Sequence, residues 1–170
     1  MASLVEELVN VLEAEKQIYT TLVGYEERKK DVLIAADVAT LEEITTKEQL
    51  AGDDLIAYSN KQIQILKDIA TVLGRTDGKM TVTRLIALLD TQPKVQEQLT
   101  EARDSLLTAA NQMKTLSDQN AILIRQAIEL NEFDMMLFKS LRQAPETANY
   151  DKSAYNTGSL LGGGGFDATS

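Results

Sequence analysis

The chain has 170 residues, a formal net charge of −9, no His, no Cys and only 5% aromatic residues. Without His and Cys, nucleophile–His pairs, thiolate chemistry and metal sites built on these ligands are excluded. The acidic balance, with no strong basic patch to offset it, argues against binding to nucleic acid. Only two Pro and nine Gly interrupt the sequence, which favours long helices.

The first predicted helix runs from about Ser3 to Ala36, and a Ser-x-x-Glu capping box at Ser3 and Glu6 marks its start. Its apolar residues step by threes and fours, as in one buried coiled-coil-like seam. Glu15 and Lys29 interrupt that seam. The seam itself consists of Leu4, Leu8, Val11, Ile18, Leu22, Tyr25 and Val32.

A second helix is predicted from Leu41 to about Leu73, after a second capping box at Thr40 and Glu43. Gly74 then suits the left-handed position that ends many helices. The apolar seam of this helix includes one polar residue; its members are Leu41, Ile44, Ala51, Leu55, Tyr58, Gln62, Ile65, Ile69 and Val72.

The segment "RTDGKMTVTRLIALLD" contains an Asp77-Gly78 turn and one short helix. Pro93 suits the first turn of a third long helix, predicted to run to about Gln143. From Ala144 the composition turns to Gly, Ser, Thr, Asn and Asp, which is typical of a flexible tail. The sequence therefore predicts an all-α fold: an elongated antiparallel bundle of three long helices and one short one, in residues 1–143, with a tail in residues 144–170.

The C-terminal half of the last helix is apolar over most of its circumference. At ~100° per residue, Leu123, Ala127, Leu130, Leu137, Phe138 and Leu141 form an ordinary core stripe, interrupted by Asn120 and Asp134. Six further apolar side chains lie on both flanks of that stripe: Ile122, Ile124, Ile128, Phe133, Met135 and Met136. Three explanations stay open: the first two helices bury these flanks, a homodimer buries them, or they bind the helix of a partner.

Nothing in the sequence indicates catalysis. No phosphate-binding Gly-x-x-x-x-Gly-Lys-Ser/Thr loop occurs, and a di-iron carboxylate site would need the His that this chain lacks. We therefore expect a protein that is not an enzyme and needs no cofactor. No apolar run reaches the ~18 residues of a membrane span, and the acidic N-terminus is unlike a signal peptide, so we expect no membrane insertion and a cytoplasmic location.

In order and spacing, three segments resemble the FlgN family of flagellar export chaperones: "LVNVLEAEKQIYTTLVGYEERKKDVLIAADVATLEEIT", "LGRTDGKMTVTRLIALLD" and "LSDQNAILIRQAIELNEF". The resemblance covers roughly residues 4–143. It implies a cytoplasmic, helical chaperone that binds terminal segments of hook–filament junction proteins, keeps them unpolymerised and delivers them to the flagellar type III export gate.

From this resemblance together with the apolar pattern, we expect client contacts on the last helix, with Asn120 setting the register. The expected contact residues are Leu123, Ile124, Ala127, Ile128, Leu130, Met135 and Phe138. The resemblance also implies that tail or late-helix segments touch the export gate. Tyr150 and Tyr155 in the tail are the candidate contacts, because Tyr is a frequent anchor at interfaces. The alternative hypothesis is a homo-oligomeric coiled-coil scaffold or adaptor that has no client.

Overall fold

The structure is a computed structural model. It describes the backbone of residues 1–75 and 77–169 and the side chains of residues 1–75 and 77–143. This described part contains four α-helices and no strand, so the all-α class is confirmed. In chain order they are α1 (Ala2–Ile34), α2 (Val38–Val72), α3 (Val82–Leu88) and α4 (Pro93–Thr169). The chain divides into two compact units, Met1–Ile124 and Arg125–Ser170.

The starts of α1 and α2 differ from the sequence prediction. The first helix begins at Ala2 without any side-chain cap, so the capping box expected at Ser3 is wrong: Ser3 already lies inside the first turn. The second helix begins at Val38, because Asp37 occupies the N-cap position and its carboxylate accepts from the Thr40 backbone N–H at 3.1 Å. An Asp at this position satisfies an otherwise unpaired donor, and Thr40 is left in the first turn.

The ends of α1 and α2 have the same geometry but different residues. After α2, Gly74 takes a φ of 67°, and the N–H groups of Gly74 and Arg75 donate to Thr71 and Ala70 in a Schellman arrangement. This confirms the predicted Gly74 cap. After α1, the equivalent left-handed position holds Ala36, at a φ of 53°, where a Cβ atom is strained.

Cross-helix contacts establish the directions of the long helices in the first unit. Lys29 of α1 pairs with Glu48 of α2, and Glu15 of α1 lies against Gln62 of α2, so the two helices are antiparallel. In contrast, Asn120 of α4 contacts Glu26 of α1. Since Leu106 of α4 borders the same groove as Glu15, this part of α4 runs parallel to α1. Coiled-coil-like packing in detail and an elongated shape stay predictions.

The core of the first unit lies where α1, the C-terminal half of α2, α3 and the start of α4 meet. Its fully buried side chains include Leu8, Leu12, Ile69, Leu85 and Leu99. Thr81 caps the short helix by accepting from the Arg84 backbone N–H, which presents Val82 and Leu85 to this core. All residues of the predicted α1 seam are buried or half-buried; in the α2 seam, Tyr58 and Val72 are exposed.

The second unit belongs to α4, which continues to Thr169 without an end near Gln143. The helix end expected there is therefore not found: the change in composition at Ala144 was a weak indicator, since helix propensity alone rarely decides a boundary. The division into residues 1–143 and a flexible tail of residues 144–170 stays a prediction, because the side chains from Ala144 onward lie outside the described residues.

Candidate functional site

The described side chains of the second unit, residues 125–143, are all exposed. Eight of them are large and apolar, with between 47% and 65% of their surface accessible: Ile128, Leu130, Phe133, Met135, Met136, Leu137, Phe138 and Leu141. We call these eight residues the α4 apolar surface. Arg125, Glu132 and Lys139, spaced by seven, form a polar strip along the same helix.

The core stripe predicted for the second half of α4 is wrong. Leu130, Leu137, Phe138 and Leu141 were expected to form an ordinary core stripe, yet all four are exposed. Farther toward the N-terminus of α4, the same stripe is buried or half-buried in the first unit. Its residues there are Leu106, Ala109, Met113, Leu116, Asn120 and Leu123. Periodicity identifies which side chains share a face, but it does not show whether another element covers that face.

Of the three explanations for the apolar flanks, burial by α1 and α2 is not found at Ile122, which belongs to the same unit as those helices. Ile122 is 51% exposed and Ile128 is 53% exposed. Burying the exposed parts of the α4 apolar surface would contribute on the order of 10 kcal/mol before the costs of association. Exposed apolar clusters of this size are typical of sites that bind another protein.

Asn120 is 3% exposed and is fully engaged within the first unit. Its side-chain nitrogen donates to the backbone carbonyl of Glu26 and to the Glu26 carboxylate, at 2.7 Å each. The sequence suggested that this residue sets the register of a client. In the structure it ties α4 to α1 of the same chain.

The carboxylate of Glu26 belongs to a larger polar cluster. Lys29 Nζ donates to Glu48 Oε2 at 2.6 Å and lies 3.6 Å from Glu26 Oε1. Burial raises the pKa of Glu48, Lys29 lowers it in part, and the nearby Glu26 carboxylate adds to the rise. The other oxygen of Glu48 is buried without a hydrogen-bond partner. The Lys29 ammonium therefore pairs with two carboxyl groups, and the cluster holds α1, α2 and α4 together.

The remaining predicted contact residues fall into three groups. Leu123 is half-buried and Ile124 is 36% exposed, and both belong to the first unit. Ala127 is exposed and lies on the second unit together with Ile128, Leu130, Met135 and Phe138. The side chains of Tyr150 and Tyr155 lie outside the described residues, so their expected role as gate contacts stays a prediction.

The contacts that join Asn120, Glu26 and Glu48 were not predicted, although the sequence indicated that buried polar residues there need partners. Lys29 interrupts the apolar seam of α1, and Asn120 interrupts the stripe of α4. Polar residues at seam positions have to find partners when they are buried. The sequence does not reveal which ones, because that depends on how three helices align.

Among the residues that the structure describes, no helix is both long enough and apolar enough to span a membrane. The same part of the chain contains no group of acidic side chains arranged to hold a metal ion.

Comparison with protein families gives a match to the family described as FlgN protein, over residues 1–158. The chain belongs to the FlgN family. FlgN proteins are chaperones of flagellar export and not an enzyme family. The match also includes residues 144–158, beyond the roughly 140 residues on which the sequence resemblance rested.

One curated protein is similar to this FlgN chain over a limited region. It is the alanine–tRNA ligase of Pseudoalteromonas translucida (strain TAC 125), 30% identical over 104 residues, which make up 61% of this chain and 10% of the ligase. The chain thus spans about a tenth of the relative that it matches. No solved structure matches the chain.

Proposed function

We propose that this FlgN protein binds the C-terminal amphipathic helices of hook–filament junction proteins on its α4 apolar surface. It acts in the cytoplasm, keeps its clients from polymerising prematurely and delivers them to the export gate. The observation that carries the proposal is the exposure of eight large apolar side chains between Ile128 and Leu141. Family membership supplies the flagellar context.

The chemistry of this surface suits an amphipathic helix. A client helix would lay its own apolar face against the apolar side chains of α4. Met135 and Met136 have flexible thioether side chains that adjust to apolar partners of different shape. A client segment that folds only on binding spends part of the interaction energy on ordering, which keeps the complex reversible at the gate.

Leu123 and Ile124 stay candidate client contacts at the end of the first unit. Asn120 is less suited to that role, since its amide already donates twice to Glu26. Tyr150 and Tyr155 stay candidate contacts to an export-gate component, because an aromatic side chain with a polar tip is a frequent anchor at interfaces.

Titration calorimetry with synthetic C-terminal peptides of junction proteins tests the proposal. We expect a 1:1 complex that is weakened at least tenfold by Ile128→Asp or Met135→Asp. Gln126→Asp is the matched control: it adds the same charge on the same helix at an exposed polar position, and it should leave the affinity within about twofold. Equal effects of Ile128→Asp and Gln126→Asp would contradict the proposed surface.

The same apolar surface is compatible with the homo-oligomeric scaffold, so the self-association state discriminates between the two functions. Sedimentation at micromolar concentration should give a monomer that becomes a 1:1 complex when the peptide is added. A stable dimer that dissociates in Ile128→Asp and binds no junction peptide would favour the scaffold.

A further inference from the structure

A second surface lies entirely within the first unit, in a groove of about 360 Å³ between α1, α2 and α4. Leu55 and Ile56 of α2 and Leu106 and Leu107 of α4 form most of its apolar wall. Ile56 is 62% exposed and Leu107 is 51% exposed. The groove therefore has an apolar rim that is open to a partner.

The groove also contains a carboxyl group, that of Glu15, which is only 4% exposed. With its amide nitrogen turned toward Glu15, Gln62 donates to the two carboxylate oxygens at 3.0 and 3.1 Å. If Glu15 is protonated, the same amide can turn over, and its oxygen accepts a hydrogen bond from the carboxyl O–H of Glu15. Gln62 can therefore hydrogen-bond to Glu15 in either protonation state, but it carries no charge to balance the ionised form.

No cation accompanies this carboxyl group among the residues that line the groove, all of which belong to the described part of the chain. The titratable groups there are Glu15 and Tyr19, both on α1, and neither α2 nor α4 adds another to the lining. Burial raises the pKa of Glu15 to about 7. Glu26 and Glu48, by contrast, have Lys29 between them.

The groove combines an apolar rim with a buried carboxyl group that has no cation beside it. A complementary partner therefore brings apolar side chains and one positive charge. We propose that this groove binds an α-helix of another protein that carries one Lys or Arg within its apolar face. The aliphatic stem of that side chain packs against Leu55 and Leu106, and its charged end pairs with Glu15. This surface is separate from the α4 apolar surface and does not rest on the function proposed above.

The ion pair between Glu15 and the cation of the partner makes the affinity for that partner depend on pH, in the direction set by the ionisation of Glu15. The cation requires an ionised carboxylate, so binding below neutral pH releases a proton from Glu15, and the affinity rises as the pH is raised toward 8. The phenol of Tyr19 does not oppose this effect, because burial and the Glu15 charge both raise its pKa.

The test uses two fluorescein-labelled synthetic amphipathic helical peptides that differ at one central position of the apolar face, which is Lys in one and Met in the other. Fluorescence anisotropy at pH 8 should show the Lys peptide binding at least tenfold more tightly than the Met peptide. At pH 5.5 this preference should fall to less than threefold. Glu15→Gln should remove the preference at pH 8.

Ile128→Asp is the control for binding elsewhere, and it should retain the preference for the Lys peptide. The proposal is overturned if neither peptide binds, if both bind equally, or if Glu15→Gln keeps the preference. A wild-type dimer that Glu15→Gln dissociates would also overturn it, because the groove would then hold a second copy of this chain. Circular dichroism of each variant checks that the helices are retained.

Discussion

Asn120 of α4 and Glu26 of α1 are joined by two hydrogen bonds of 2.7 Å, one to the backbone carbonyl and one to the carboxylate. They are 94 residues apart in sequence and both are buried. Because Lys29 and Glu48 extend this contact to α2, a single polar cluster fixes three helices in one alignment.

Asn120→Ala should therefore destabilise the first unit by about 1.5–3 kcal/mol, the usual contribution of a hydrogen bond to a carboxylate. Urea unfolding followed by circular dichroism measures this cost. Asn111→Ala is the control, an exposed Asn on the same helix, and should change the free energy of unfolding by less than about 0.5 kcal/mol. If the two variants are equally stable, the Asn120–Glu26 contact does not contribute as the geometry indicates.

Ile128→Asp should leave the protein folded, because this side chain is 53% exposed and exposed substitutions change stability by less than about 1 kcal/mol. Ile69→Asp, at a position with no exposed surface, should unfold the first unit, since it buries an unpaired charge. Thermal unfolding of both variants makes the comparison. Loss of structure in Ile128→Asp would mean that this residue is part of a core, and the client surface would have to lie elsewhere.

The stability of the protein should fall as the pH rises from about 5 to about 8, partly because of Glu15. Its folded pKa of about 7 lies above the ordinary value of 4.5, so the folded state holds the proton more tightly than the unfolded state. The contribution of Glu15 to the free energy of unfolding is fully present below pH 4.5 and is lost as the pH rises through the folded pKa of about 7. Glu15→Gln should remove this dependence and make the protein more stable than wild type at pH 8, by on the order of 2 kcal/mol.

Urea unfolding at pH 5, 6, 7 and 8 provides the measurement for Glu15. The raised pKa of Glu48 acts in the same direction, so the informative quantity is the difference between wild type and Glu15→Gln at each pH. Parallel curves for the two proteins would show that Glu15 titrates alike in the folded and unfolded states.

Ala36→Gly should stabilise the protein by roughly 1 kcal/mol, because Ala36 has a φ of 53° and a Cβ atom is unfavourable there. Gly74→Ala provides the reverse test at the end of α2, where φ is 67° and a Cβ atom would meet nothing within 4 Å. Its cost, also roughly 1 kcal/mol, comes from the backbone alone. A stabilising Gly74→Ala together with a destabilising Ala36→Gly would refute this account of the two helix ends.

Local features of the chain were readable from the sequence because they depend on neighbouring residues. The spacing of Leu8, Leu22 and Val32 gave the buried face of α1, and Gly74 gave the end of α2. The capping boxes at Ser3 and Thr40 were misplaced: Asp37 precedes Thr40 and caps α2 with its own carboxylate, whereas α1 begins at Ala2 without any side-chain cap. The end expected near Gln143 was an inference from composition, which constrains a helix only weakly.

The sequence by itself determined the all-α class, the long helices and the excess of apolar residues in the second half of α4. Only the tertiary structure decided that Leu130, Phe138 and Leu141 are exposed although they continue a stripe that is buried in the first unit. It also decided which partners serve Asn120, Glu15 and Lys29. Periodicity places side chains on a face of a helix, whereas burial and pairing depend on which other helix lies against that face.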